Sequence, residues 1–321
     1  MKVIVRCAAV LMCALAAPAL AQQDYPVRPM RIIVPFLPGG ATDLLGRLLS
    51  QRFYAAWGQT APVENRPGAG GNIGGDVVAK SAPDGYTLLM TSASVTVNVT
   101  LYPKMPFDLR RDLMTISQVA SAPIVIVVHP SVPARTLREL VALGKSRKEP
   151  LNFGSNGTGT TSHLAGELLQ QRAGIKFTHI PYKGASGAML SLVGGEIEIG
   201  FPATTSGRPH IVTGKLRGLA VTTIRKSSVL PDLPTVDSIY PGFDIDNWFA
   251  LLAPTGTPPA IINKLHAEVV RSLQHQDMKS FMQREGAEPV GNSPAELAAY
   301  INREIDKYAK IIKASGAKPD A

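Results

Sequence analysis

The chain has 321 residues, which is enough for two domains of ordinary size. Hydrophobic residues make up 45% of the sequence and charged residues 18%, a balance that excludes a disordered chain. The net charge of +9 is spread along the sequence without a basic run, which argues against nucleic acid as a partner and is compatible with small anions.

The first segment predicts export from the cytoplasm. Two basic residues precede an apolar run over 7–17, and a small-residue cleavage site follows at 19–21. The run is shorter than the roughly 20 residues that span a bilayer. We therefore predict a signal peptide over 1–21, cleaved after Ala21, and a periplasmic mature protein. Cys7 and Cys13 leave with the signal, so the mature chain has no thiol for a disulfide or for catalysis.

Downstream, short β-branched runs alternate with longer amphipathic stretches, as in an α/β fold. Strands are predicted at 31–35, 87–90, 124–128, 151–154, 176–180, 197–201, 216–222 and 247–253. The strands at 176–180, 197–201 and 216–222 have the apolar character of a parallel sheet. Helices are predicted at 42–57, 137–146 with Thr136 as N-cap, 162–173, 185–193, 259–274, 278–285 and 294–315.

The first glycine loop, residues 38–43, joins the first strand to the first helix. Its sequence Pro-Gly-Gly-Ala-Thr-Asp would aim backbone N–H groups and the positive end of a helix at a bound anion. The alternative is a tight turn in which Thr42 or Asp43 caps the helix. The sequence leaves both interpretations open.

The second glycine loop, residues 154–161, also follows a strand and precedes a helix. It has the glycine spacing of a phosphate-binding loop, but Thr160 stands where that motif needs lysine. Hydroxyl and N–H groups favour a carboxylate or a neutral polar ligand over a nucleotide triphosphate. His163 opens the following helix, where a structural hydrogen bond and a ligand contact are both possible.

Other motifs lack a required residue. The glycine run 68–75 has Ile73 where a dinucleotide fingerprint needs glycine, so it predicts a helix start packed beneath the first glycine loop. Ser186 lies in a near-match to a nucleophile elbow, with Ala188 in place of the second glycine. The six histidines show no metal-ligand spacing. The sequence therefore predicts no cofactor and no metal.

Ordered blocks along nearly the whole chain resemble one family. They lie at 35–43, 64–71, 83–89, 154–163, 181–184, 219–222, 233–235 and 253–258. Together they resemble the Bug or TctC-like extracytoplasmic solute receptors of tripartite tricarboxylate transporters. The resemblance implies a periplasmic binding protein of type II, in which two α/β lobes are joined by crossing hinge strands with a ligand cleft between them. It implies one lobe over 22–121 plus 250–321, a second over 122–249, and a hinge near 119–123 and 246–251.

The resemblance also implies which residues contact the ligand. Backbone groups of the first lobe would hold a ligand carboxylate, partly through ordered waters, and a similar loop would face them from the second lobe. The predicted site residues are Phe36, Gly39, Gly40 and Asp43 in the first lobe, Ser92 and Ala93 on the cleft wall, Gly157, Gly159, Thr160, Thr161 and His163 in the second lobe, and Tyr182 and Ala203.

We therefore expect a monomeric receptor that captures a small organic acid and delivers it to the membrane permease subunits of a tripartite tricarboxylate transporter. No catalysis and no cofactor are expected. Two alternatives stay open at this stage: the same fold acting as a ligand sensor for a signalling partner, or an exported hydrolase or isomerase that uses Asp43 and His163 across the cleft.

Overall fold

The computed structural model describes residues 25–182 and 184–319. The predicted signal peptide and its cleavage site lie outside the described residues. In the described part of the chain the strands are β1 (Arg31–Val34), β2 (Val63–Asn65), β3 (Thr87–Ser92), β4 (Leu113–Pro123), β5 (Val125–Val128), β6 (Leu151–Ser155), β7 (Phe177–Pro181), β8 (Ile199–Gly200), β9 (Arg217–Val221), β10 (Asp246–Pro254) and β11 (Glu288–Pro289).

The helices are α1 (Ala41–Trp57), α2 (Asn72–Ala79), α3 (Ser94–Leu101), α4 (Leu109–Asp112), α5 (Leu137–Ser146), α6 (Thr161–Ala173), α7 (Ala185–Gly194), α8 (Thr204–Val212), α9 (Pro259–Leu273), α10 (Gln276–Glu285) and α11 (Pro294–Ser315). Short 3-10 turns lie at Ala69–Gly71 and Val236–Ser238.

The strands form two mixed sheets. The first has six strands in the order β11-β4-β10-β3-β1-β2, with β1 parallel to both of its neighbours and β10 antiparallel to β3 and β4. The second has five strands in the order β7-β6-β8-β5-β9, with β6 parallel to β7 and β8. The predicted two-lobed α/β architecture is confirmed.

Apolar strand residues build a core on each face of the first sheet. Ile32 belongs to the same buried cluster as Leu45 and Phe53 of α1, whereas its neighbour Ile33 belongs to the cluster on the opposite face, which includes Ile301 of α11. Side chains of successive strand residues point to opposite faces, so a strand covered on both faces must be apolar throughout. This explains the uninterrupted Ile-Ile-Val sequence of β1.

Two long strands connect the sheets. β4 ends at Pro123 and the chain enters the second sheet at β5, and it returns through β10, whose first residue Asp246 pairs opposite Pro123. A third connection is α11. Its residue Ile301 packs against the first sheet, whereas Tyr308 and Ile312 belong to the core of the second sheet. The division of the lobes stays a prediction, and it assigned all of α11 to the first lobe.

Three expectations of local structure need correction. The cap of α1 is Gly40, not Thr42 or Asp43, and it makes no side-chain capping hydrogen bond. The strand β9 lies at the edge of the second sheet and pairs antiparallel with β5. The eleven-residue strand β4 and the helices α3 and α8 were not predicted.

Candidate ligand-binding site

Six helices begin beyond the carboxyl ends of parallel strands. In the first sheet α1, α2 and α3 follow β1, β2 and β3, and in the second sheet α6, α7 and α8 follow β6, β7 and β8. A helix N-terminus carries a partial positive charge and unpaired N–H groups. In open α/β sheets this edge is where ligands bind. These two edges are therefore the candidate walls of the site.

The buried Asp43 carboxylate holds the first glycine loop. Its Oδ2 accepts hydrogen bonds from the Gly39 N–H at 2.9 Å and from Arg47 Nε at 2.9 Å. Its Oδ1 accepts from Arg47 Nη2 at 3.1 Å and from Asn65 Nδ2 at 2.9 Å. Asn65 Nδ2 also donates to the Phe36 carbonyl at 3.0 Å. Both carboxylate oxygens are thus occupied within the first lobe.

These contacts keep Asp43 ionised. Burial raises the pKa of the Asp43 carboxyl, but hydrogen bonds from Arg47, the Gly39 amide and Asn65 outweigh that effect, so the pKa lies below its usual value. The Gly39 N–H donates to Asp43, and the backbone contact of Gly39 with a ligand stays a prediction. The first-turn amides of α1 from Gly40 to Thr42 have no acceptor inside the helix and remain to receive an anion.

Hydroxyl groups hold the second glycine loop. Thr160 caps α6: its Oγ1 accepts from the His163 N–H at 3.4 Å and donates to the Gly157 carbonyl at 2.6 Å. The Asn156 N–H donates to Ser162 Oγ at 2.9 Å. The amide of Thr161, at the first position of α6, has no acceptor within the helix. Like the first loop, this loop presents free amide groups at a helix start.

His163 lies beneath the second glycine loop and is only 5% exposed. Its Nδ1 accepts from the Gly159 N–H at 3.0 Å, and its Nε2 lies 3.5 Å from Glu167 Oε1. Both ring nitrogens are therefore engaged within the second lobe. Asp43 and His163, the pair invoked by the hydrolase or isomerase alternative, each hydrogen-bond within their own loop.

Helix α3 contacts both the glycine run 68–75 and the second glycine loop. Asn98 Nδ2 donates to the Gly70 carbonyl at 3.0 Å and to Asn72 Oδ1 at 2.8 Å. Its last residue, Leu101, fills the space where a Cβ at Gly159 would lie. The second glycine loop thus contacts the same helix that begins after Ala93. An eight-residue helix is about 12 Å long, so Ala93 and the second glycine loop lie within about one helix length of each other.

The remaining predicted residues lie at the same two edges. Ser92 and Ala93 are buried at the start of α3, and the Ser92 and Ser94 hydroxyls are 3.1 Å apart. Tyr182 is half-buried beside Gly154, and Ala203 caps α8. The glycine run packs against the end of β1, because a Cβ at Gly74 would lie 2.7 Å from the Pro35 Cβ, and its packing beneath the first glycine loop stays a prediction.

Comparison with known proteins identifies the family. The model of the tripartite tricarboxylate transporter family receptor, TctC, matches residues 45–317. The chain belongs to this family. This chain is 38% identical to protein BugT of Bordetella pertussis over 307 residues, which cover 95% of this chain and 94% of that protein.

Solved structures agree with the assignment. R. palustris Rpa4515 with adipate is 32% identical, with a TM-score of 0.80 over 92% of this chain and 100% of that one. MatC from Rhodopseudomonas palustris with bound malate is 29% identical, with a TM-score of 0.75 over 90% and 100% of the two chains. The TctC receptor is accordingly a periplasmic solute-binding receptor and not an enzyme, as its sequence predicted.

Sequence reasoning missed the side chains that support the two loops. Arg47, Asn65, Asn98 and His179 were given no role, yet each holds a loop or a helix start of the TctC receptor. The pair Asp43 and Arg47 was open to detection, since residues four apart face each other on a helix. The other three depend on contacts between distant segments.

Within 25–182 and 184–319, no group of three or more His, Cys, Asp or Glu side chains is arranged to hold a metal ion. None of the helices in those ranges has the length and apolarity needed to cross a bilayer.

Proposed function

We propose that this TctC receptor binds a small organic carboxylate between the first and second glycine loops and passes it to the membrane subunits of its transporter. The contacts would come from backbone amides at the starts of α1 and α6, together with the predicted site residues around them. The mature protein would begin after Ala21 and act as a monomer whose lobes close about β4 and β10.

The observation that carries the proposal is the chemistry of the two sheet edges. Helix starts with free amides lie at each edge, and neither glycine loop contains Lys or Arg. The one acidic side chain in the loops, Asp43, forms an ion pair with Arg47 and accepts a hydrogen bond from Asn65. Such a site favours an anion through amide groups and bound water and does not require a charged partner.

The relatives support a carboxylate as that anion. Two receptors of similar fold, at 32% and 29% identity, were solved with adipate and with malate. Both ligands carry two carboxylates on a short carbon chain, which suits a cleft with helix starts on both walls. Binding in the micromolar range, about −8 kcal/mol, is expected.

The test is thermal unfolding of the mature, ligand-stripped protein with adipate and malate, and with adipamide and malamide as neutral controls. A ligand at about 100 times its Kd adds about 2.7 kcal/mol, which raises the unfolding midpoint by several degrees. We expect a carboxylate to raise the midpoint and its amide to leave it unchanged. Equal shifts from acid and amide would contradict an anion site.

A matched pair of glycine variants locates the site. Gly40 and Gly194 both have ordinary backbone angles and open space where a Cβ would point, but Gly40 lies at the start of α1 and Gly194 at the end of α7. Gly40→Leu should abolish the carboxylate shift without lowering the midpoint of the free protein. Gly194→Leu should bind as the wild type does. Normal binding by Gly40→Leu would exclude the first glycine loop from the site.

A further inference from the structure

Two stacked imidazole rings lie beneath the second glycine loop. His163 comes from α6 and His179 from β7, and their ring centroids are 3.9 Å apart with 11° between the planes. Phe153 of β6 continues the stack, with its centroid 4.8 Å from that of His179. His179 belongs to neither glycine loop and is not among the predicted site residues.

Each imidazole controls one glycine of the loop. His163 Nδ1 accepts the Gly159 N–H directly at 3.0 Å. His179 acts through Ser155: its Nε2 lies 2.6 Å from Ser155 Oγ, which in turn accepts the Gly157 N–H at 3.2 Å. The two rings therefore hold the backbone on both sides of Thr158.

These glycines need such support. Gly157 and Gly159 have φ angles of 131° and 78°, a region that glycine enters at little cost and also leaves easily. Hydrogen bonds to their amides fix which way the intervening peptide groups face. A loop that binds an anion through its backbone depends on that orientation.

The contacts also define the state of His163. Because Nδ1 accepts a hydrogen bond from an amide, the ring proton must be on Nε2, which faces Glu167 Oε1 at 3.5 Å. Stacking on His179 fixes the plane of the ring. Glu167, His163 and Gly159 thus form one chain of contacts, and His179, Ser155 and Gly157 form a parallel one.

We propose that His179 and His163 are positioning residues of the ligand site, which set the backbone orientation of Gly157 and Gly159 without touching the ligand. This inference rests on the proposed function, because it assigns the second glycine loop to ligand binding. It gives His179 a role in affinity and reassigns His163 from ligand contact to loop support.

The experiment compares nonpolar and conservative replacements. His179→Leu and His163→Leu remove the ring nitrogens, whereas His179→Gln and His163→Asn place an amide group near Nε2 and Nδ1 respectively. His210→Asn is the matched control, because His210 lies in the last turn of α8 and no side-chain hydrogen bond is found for it in the described part of the chain. Two quantities are measured for each variant: amide hydrogen exchange over 156–160 in the free protein, and Kd for adipate and malate by calorimetry.

We expect both leucine variants to exchange the loop amides at least tenfold faster and to weaken binding at least tenfold. His179→Gln, His163→Asn and His210→Asn should stay within about threefold of the wild type in both quantities. Unchanged exchange or unchanged affinity in the leucine variants would overturn the proposal. So would equal losses in the conservative variants, since these would indicate packing of the rings. If the wild type binds neither acid but exchange responds as expected, the proposed ligand class fails while the loop support stands.

Discussion

The two glycine loops solve the same backbone problem with different chemistry. Each follows a parallel strand and leads into a helix N-terminus, but the first is held by an ionised carboxylate with Arg47 and Asn65, and the second by neutral imidazole and hydroxyl groups. The first loop is exposed at Gly39 and Gly40, whereas Gly159 is buried against Leu101 of α3. Similar loop sequences therefore do not imply similar support.

The largest difference in stability between the two loops is expected when Asp43 is replaced. Asp43→Ala removes four hydrogen bonds that involve an ionised group, and we expect a loss of about 3 kcal/mol in unfolding free energy. The matched control is Asp306→Ala, because Asp306 pairs with Arg110 at 3.2 Å on the surface and should contribute less than about 1 kcal/mol. Denaturant unfolding at pH 7 measures both. Equal losses would show that the first loop is not specially supported.

The pH dependence of stability tests the contribution of Asp43 to the first glycine loop. The pKa of Asp43 lies below its unfolded value of 3.8, so its contribution to stability is present above that pH and is lost as the pH falls through the folded-state pKa. The difference in unfolding free energy between wild type and Asp43→Asn should therefore shrink from pH 6 to pH 3. A constant difference would mean that the charge of Asp43 contributes nothing.

A smaller effect is expected at Gly159. An alanine there has an unfavourable φ of 78° and its Cβ overlaps Leu101 Cδ2. We expect Gly159→Ala to cost about 2 kcal/mol, and Leu101→Ala to relieve part of that cost in the double variant. A double-mutant cycle by denaturant unfolding measures the coupling. Simple additivity would separate the second glycine loop from α3.

The smallest effect is expected at Gly39. Its φ is 88°, but no atom lies within 4 Å of the position that a Cβ would take, so Gly39→Ala costs only backbone strain, about 1 kcal/mol. The same replacement in the two loops should thus differ by about a factor of two in free energy. Identical losses at Gly39 and Gly159 would contradict the contact between Gly159 and Leu101 of α3.

The sequence predicts a helix or strand correctly where the residues that define it are adjacent in the chain. The bounds of α11 were predicted correctly because Ser293 and Glu296 form a capping box at its start and Gly316 ends it. Helix α3 was missed because its sequence, Ser-Val-Thr-Val-Asn-Val-Thr-Leu, alternates β-branched residues as a strand does. Helix α8 contains Gly207 and Pro209, which both disfavour a helix.

The two glycine loops of the candidate site were predictable from the sequence, whereas the side chains that hold them were not. Glycines and threonines after a strand indicate a backbone anion site wherever they occur. His179 reaches Ser155 only because β7 pairs with β6, and no pattern within either strand announces that pairing. The direction of β9 was wrong for the same reason, since an apolar run does not report which neighbour it will have.

The helix α11 has a consequence for how the cleft opens. It is 22 residues long, about 33 Å, and its side chains are part of the core of both sheets. Two lobes that share one long helix cannot easily move apart along the helix, but they can rotate about its axis. Bending at β4 and β10 should therefore be accompanied by rotation of one lobe around α11, and the width of the cleft mouth would be limited by how far Tyr308 and its neighbours can turn within the second core.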